Sequence, residues 1–535
     1  MNLQKIIFFG IVMVILSACG GDSTSSPSTQ EESVSNSEVT SEEVSQREEL
    51  STNEDEIVAE GNIWHVSTVA EFRQALEDAS VNGENDKVVL EAGVYNVDSD
   101  GLGTFDFNDN EEFNLTIISA EGLNRDDVIL NGNNTHQVFN FDNTKKSTLT
   151  FKGISIIDGN SSTNGGGIYS NHSIKIEDCN ISNNSSSGFG GGFSSNGITI
   201  IINSIISNNR NNMNYYSKGG GFYSSGIVTI TNSTISNNVN IGKDSYGGGF
   251  YSDSNITIIN STISNNSNIA YYYSNGGGFY SLNGNIIITN STIFNNENNC
   301  SGTSSGGGFY SALTTITNSI ISNNKNNNSY YSSGGGFYSS MATITNSTVS
   351  NNSNNSNNNR SYGGGFYSDT AIVINSKFFE NNSTNGAIYC GWYGNSFVSN
   401  NIFINNYGYI EAKGVFINNI FKNNRKMDIN LIDSSKIYNN YIDYAKIEDN
   451  GFNFIKKNNL QPSEVGDVYL NSDNKTLSRN SPVIDKGLNP NSTTFKEIFD
   501  NDDIYNQVVE LLNTDIDGKP RVVNGTIDMG ASERQ

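Results

Sequence analysis

Cysteine, histidine and cationic side chains are scarce in this chain, and each shortage closes off a class of function. Only four cysteines are present in 535 residues. Cys179, Cys300 and Cys390 lie far apart, so neither a disulfide framework nor a metal-ligand spacing is expected. The histidines His65, His136 and His172 are equally scattered, and no metal or cofactor is expected from them. Lys and Arg total 30 against 55 Asp and Glu, a formal charge of -25. So acidic a chain is a poor match for nucleic acid or an anionic membrane surface. The acid is concentrated at the two ends, with Glu31, Glu32, Glu42, Glu43, Glu48, Glu49 and Glu54 in an amino-terminal tract that reads as a solvated tether. The apolar run at 6–16 is too short to span a bilayer as a mature helix.

What the chain has in abundance is a repeat. Gly-Gly-Gly-Phe-Tyr-Ser begins at Gly219, Gly247, Gly276, Gly306, Gly334 and Gly363, with variants at Gly165 (GGGIYS) and Gly190 (GGGFSS), mostly 28 to 30 residues apart. About ten residues after each glycine run comes a phrase like Asn-Ser-Thr-Ile-Ser-Asn-Asn, starting at Asn203, Asn232, Asn260, Asn290, Asn318 and Asn346. A unit with so few apolar residues cannot bury them alone, so each must stack on copies of itself.

Aligning the repeats on that first asparagine separates inward from outward positions. Two residues before it stand Ile201, Ile230, Ile258, Ile288, Ile316, Ile344 and Val373; three after it stand Ile206, Ile235, Ile263, Ile293, Ile321, Val349 and Phe378. These columns are expected inside. Thr229/Thr231, Thr315/Thr317 and Thr343/Thr345 alternate with the first of them and are expected outside, because successive strand residues point to opposite faces. The period is that of strands, and a 3.6-residue helical period is absent. In the Phe-Tyr pair, Ile168 and Ile388 replace Phe while Ser194 replaces Tyr. A core accepts the first exchange more readily than the second, so Phe faces in. Tyr169, Tyr223, Tyr251, Tyr280, Tyr310, Tyr338 and Tyr367 then face out. The glycines read as a sharp corner or a close backbone approach, and the aligned asparagine as a turn residue whose amide bonds its equivalents above and below. The variable segments 210–218, 269–275 and 325–333, with Tyr215-Tyr216, Tyr271, Tyr272, Tyr273 and Tyr330-Tyr331, are expected as loops stacked along one edge.

The expected fold is all-β: a parallel β-helix of three sheets, right-handed by the crossover rule, with a short amino-terminal capping helix. The helix is marked by a capping box from Thr68 to Glu71, with Val69, Phe72, Ala75, Leu76 and Ala79 on one apolar face. Residues 87–95 (KVVLEAGVY) read as the first strand. The expected divisions are a signal peptide at 1–18, the tether at 19–60, the β-helix at 61–467 with its glycine-rich rungs at 165–382, and a closing region at 468–535.

Leu16, Ser17, Ala18 and Cys19 follow the apolar run and resemble a bacterial lipobox, which implies cleavage before Cys19 and lipidation of its sulfur. The rungs resemble right-handed β-helices of the pectin-lyase-like fold, and their Gly-Gly-x-Ile/Phe and Ile-Ser-Asn-Asn phrases resemble polymorphic outer membrane protein repeats. The ending, SPVIDKG at Ser481, DIDGKPR at Asp515 and GTIDMGASE at Gly525, is similar to that of choice-of-anchor Q proteins. These resemblances imply a lipoprotein held at the bacterial outer membrane, on the cell surface or facing the periplasm, without fixing its ligand; a monomeric body that contacts a polysaccharide or surface protein is expected.

Polysaccharide lyases and epimerases share that fold and are the alternative reading. Such sites need clustered carboxylates and a basic residue on adjacent rungs, and the repeat array offers no such constellation. Outside it, Asp106, Asp109, Glu111 and Glu112 read as a solvated loop, and Asp515, Asp517, Asp528 and Arg521 as ion pairs closing the final rung. No catalytic residue is assigned. The candidate ligand-binding residues are Tyr223, Tyr251, Tyr280, Tyr310, Tyr338 and Tyr367, an aromatic stripe that would either stack on sugar rings or partner surfaces or stack on itself. Binding of ice or a crystal surface by the outward threonines is disfavoured by Ile259, Ile287, Ile372 and Ile374 in their ranks.

Overall fold

The computed structural model describes residues 61–442 apart from 109–111, 329, 357–359, 391–395, 409, 425–428 and 432–435, together with parts of 455–531. Leu16, Ser17, Ala18, Cys19, the tether, Asp109 and Glu111 lie outside the described residues. Within them the chain winds as a parallel β-helix whose strands form three sheets of 26, 14 and 12 strands.

One rung shows the plan. Phe222–Ser224 and Val228–Thr231 belong to the first sheet, Thr234–Ser236 to the second and Val239–Tyr246 to the third. Each pairs in parallel with its copy in the next rung, like against like: Phe222 with Phe250, Ile230 with Ile258, Ile235 with Ile263. Corners between sheets are turned by left-handed residues, Asn232 at φ 50°, Asn237 at φ 57° and Gly247 at φ 71°. Asparagine and glycine are the residues that enter this region most cheaply.

Both inward aliphatic columns and the phenylalanine column are buried in one continuous core. From Phe193 to Phe366 the rings stack at 4.7 to 5.2 Å, with planes within 7° of parallel. Each contributes roughly 1.5–3 kcal/mol by area burial. The glycines do both of the jobs expected of them. At Gly247 the positive φ makes the corner, and a Cβ there would lie 1.9 Å from the Phe250 carbonyl oxygen; at Gly249 it would lie 2.5 Å from the Gly278 carbonyl oxygen of the neighbouring rung.

The amide ladder expected at the aligned asparagine is found six residues further on. The left-handed corner at Asn232 leaves that residue exposed, whereas Asn209, Asn238, Asn266, Asn296, Asn324 and Asn352 are fully buried. Asn238 Nδ2 donates to Asn266 Oδ1 at 3.0 Å and to the Ile206 carbonyl at 2.9 Å, while Asn266 Oδ1 also accepts from the Asn238 backbone N–H at 3.0 Å. Every donor and acceptor of the buried amide is thereby matched, which a core polar group requires. A second ladder runs through Asn240, Asn268, Asn298, Asn326 and Asn354.

Four further features depart from expectation. The segments 210–218, 269–275 and 325–333 are not simple loops: they contribute Arg210–Asn212, Tyr216–Lys218, Ser267–Asn275, Lys325–Asn328 and Tyr331–Ser333 to the third sheet. Residues 87–95 are two strands, Asp86–Leu90 and Gly93–Asn96, and Ile63–Val66 precedes them. The outward threonines are exposed only in part, since Thr317, Thr343 and Thr345 are buried. Finally, the described parts of the carboxy-terminal region lie along the flank of the later rungs. Phe495 and Leu512 pack on Ile372, Ile374, Phe397 and Ile417, and Val483, Met529 and Ala531 pack on Ile402, Ile404 and Ile420. The corner amide of Asn418 fastens it, donating to the Leu488 carbonyl at 2.9 Å and accepting from the Leu488 N–H at 2.6 Å. The capping helix is Val69–Ala79, with Thr68 and Glu71 closing the capping box and Phe72, Ala75, Leu76 and Ala79 buried.

Candidate functional site

The tyrosine column points away from the main core, as its exchange for serine implies, yet it is not an open stripe. Tyr223, Tyr251, Tyr280, Tyr310, Tyr338, Tyr367 and Tyr389 stack at 4.7 to 5.7 Å, and Phe189 lies 5.2 Å from Tyr223. Tyr223, Tyr251 and Tyr280 are left only 9%, 7% and 6% exposed. Their faces are occupied by one another, which is the self-stacking alternative. At one end Asp253 accepts from both Tyr223 Oη (2.6 Å) and Tyr251 Oη (2.8 Å). Lys218 Nζ lies 3.6 Å from Asp253 and 4.2 Å above the Tyr251 ring. Burial, and then the hydrogen bond to Asp253, hold both phenols well above the usual tyrosine range. They remain protonated donors near neutral pH.

A different set of tyrosines meets solvent. In the third sheet each rung leaves the body after an inward asparagine and returns at an inward serine. Asn268 Nδ2 donates to the Asn275 carbonyl at 2.9 Å, and Ser274 Oγ donates to Asn298 Oδ1 of the next rung at 3.0 Å. The residues between them form an excursion whose base is pinned by these bonds. Its apices carry Tyr215, Tyr216, Tyr271, Tyr272, Tyr273 and Tyr330, each more than half exposed. Lys243 Nζ sits 4.5 Å above the Tyr215 ring, and the Arg360 guanidinium 5.5 Å above that of Tyr330. Because the excursions pair backbone to backbone, their side chains fall into ranks. Tyr216 is in register with Asp244, Asp244 with Tyr273, Tyr273 with Thr303, and Thr303 with Tyr331. This ridge is legible in the six GGGFYS rungs, where Ser stands two residues before each glycine run and Asn two residues after the Asn-Asn that precedes it, both inward signals of a strand.

The remaining candidates lie elsewhere in the fold. Asp106 accepts from Asn140 Nδ2 at 3.0 Å, and Glu112 is exposed. Asp515, Asp528 and Arg521 are buried; Asp515 Oδ1 accepts from the N–H groups of Asp517 and Lys519, Asp528 Oδ1 accepts from that of Asp485, and Arg521 donates to the carbonyls of Asp528 and Gly530. His136 pairs with Asp98 at 2.7 Å, His172 Nε2 lies 3.0 Å from the Asn143 carbonyl, and His65 Nδ1 lies 4.0 Å from Glu91. Among the described residues no three His, Cys, Asp or Glu side chains are grouped to hold a metal ion.

No family model and no curated protein matches the chain. Among solved structures it is similar to a pectate lyase, Pel9A, at 14% identity over 90% of this chain and 98% of that one, with a TM-score of 0.29. It is also similar to the A-module of the mannuronan C-5 epimerase AlgE6 of Azotobacter vinelandii, at 12% identity over 76% and 97%, TM-score 0.32. A polysaccharide lyase of the PL6 family from Pseudopedobacter saltans, Pedsa3628, gives 12% identity over 78% and 96%, TM-score 0.29. At these values no residue of theirs is carried over to this chain.

Proposed function

We propose that this chain is a non-catalytic, lipid-tethered β-helix of the bacterial cell surface that contacts a glycan through its tyrosine ridge. The observation that carries this reading is the exposure of Tyr215, Tyr216, Tyr271, Tyr272, Tyr273 and Tyr330 on excursions whose bases are pinned. Aromatic faces held rigidly in water are costly to leave bare and well suited to the C–H faces of sugars. The ridge replaces the buried ladder as the contacting surface. Cys19 supplies the anchor and residues 19–60 the spacer.

A glycan array probed with the wild type and with Tyr216→Ala/Tyr273→Ala tests the reading. Binding is expected for the wild type and lost in the double variant, while Tyr280→Ala lowers thermal stability first. Binding indifferent to the ridge substitutions would falsify it. Mass spectrometry of membrane fractions should find a lipid on Cys19, and Cys19→Ala should release the protein.

The second reading, a lyase or epimerase, draws on the meeting of Lys218, Asp253, Tyr223 and Tyr251. Turnover of an acidic polysaccharide by purified protein, abolished by Lys218→Ala, would establish it in place of the first.

A further inference from the structure

The ridge alternates, and the alternation points to the kind of chain it holds. Along one register column the residues are Tyr216, Asp244, Tyr273, Thr303 and Tyr331. Arg360 precedes Ser361, which pairs with Ser332, and so continues the column. An aromatic ring therefore stands on every second rung, exposed at Tyr216 and Tyr273 and half-buried beside Tyr362 at Tyr331, with a hydrogen-bonding side chain on each rung between. Two rungs span roughly 9.5 Å, twice the spacing of parallel strands. That is about the length of a disaccharide in an extended β-1,4-linked chain, in which each sugar is turned half a revolution from the last, so that alternate residues present the same face.

Resting on the glycan reading above, we propose that the ridge binds an extended β-1,4-linked chain of neutral sugars along the solenoid axis, one tyrosine beneath every second residue. Asp244, Thr303 and Arg360 meet the hydroxyls of the residues between. Asp244 and Thr303 are partly exposed and Arg360 is exposed, which opens all three to a seated chain. The signs of Asp244 and Arg360 cancel along the column, and a polymer with a carboxylate on every residue would set one of them against Asp244. A chain that coils or curves, such as an α-1,4 or β-1,3 glucan, would not keep step with the rungs.

Calorimetric titration of the full chain with cellohexaose and chitohexaose tests this, with laminarihexaose and hexagalacturonate as comparisons. Both β-1,4 neutral hexamers are expected to bind. Tyr273→Ala should weaken them about tenfold or more, and Tyr273→Phe should preserve binding. Excising residues 276–305 removes one whole rung, keeping the three column tyrosines but bringing Tyr331 next to Tyr273. It should weaken binding as much as Tyr273→Ala while the circular dichroism spectrum stays that of a β-helix. Equal binding of laminarihexaose or hexagalacturonate, or an excision without effect, overturns the assignment of the sugar chain and leaves the ridge a glycan surface. Failure of every hexasaccharide, together with an array blank for both wild type and ridge variants, overturns the glycan reading as well.

Discussion

At the scale of single residues, the conspicuous glycines are the least replaceable part of the repeat, for two different reasons. Gly247 needs its left-handed φ of 71°, whereas Gly249 needs the room its missing Cβ leaves beside the Gly278 carbonyl. Gly249→Ala should cost about 1–3 kcal/mol by overpacking against the Gly278 carbonyl, measurable as a lowered melting temperature. Tyrosine ionisation offers a second handle. Burial first, and then Asp244, raises Tyr246 to about 12, and the ladder phenols are raised further. A group whose folded value lies above its unfolded one stabilises fully below the unfolded pKa and loses that contribution as pH rises through the folded value. Stability should therefore hold up to about pH 10 and fall as pH rises through 12. Alkaline unfolding followed by circular dichroism checks this, and a Tyr280→Phe chain should lose less over that window.

Among the elements, the carboxy-terminal segment and the excursions are both additions to a rung that would stand without them. The segment's site is written in the rungs it covers. Outward positions that are Thr or Ser earlier become Ile372, Ile374, Ile402, Ile404 and Ile417, all buried beneath it. Reading these residues as interruptions of a threonine rank misses that one sheet face has become the floor of a second interface. Leu512→Ala should loosen the segment by about 2–5 kcal/mol locally. Limited proteolysis would then cut within 481–531 while the rungs before Gly334 stay protected. A cut spread evenly over all rungs would contradict this arrangement. The excursions are held to the body in a comparable way, by Asn and Ser pairs at their bases, and their apices are free to carry side chains that the fold does not need.

For the whole molecule, stability is the sum of like-on-like contacts between neighbouring rungs, so excising 276–305 should preserve a cooperative melt with a modestly lower midpoint. A mismatch of columns, such as an excision of half a rung, should abolish folding. The sequence alone determined the rung: its length, its parallel stacking, its phenylalanine and aliphatic core columns and its capping helix, because a repeat that meets only itself writes every contact in one column. Tertiary structure decided what columns do not encode. It placed the amide ladder at the second asparagine of each pair, since a left-handed corner turns the aligned one to solvent. It closed the tyrosine ladder upon itself, since stacked rungs bring equal rings to van der Waals spacing. It also set Tyr216, Tyr273 and Tyr331 in one rank two rungs apart, since register within excursions of unequal length depends on how their backbones pair, including the shift between Gly242 and Asp244.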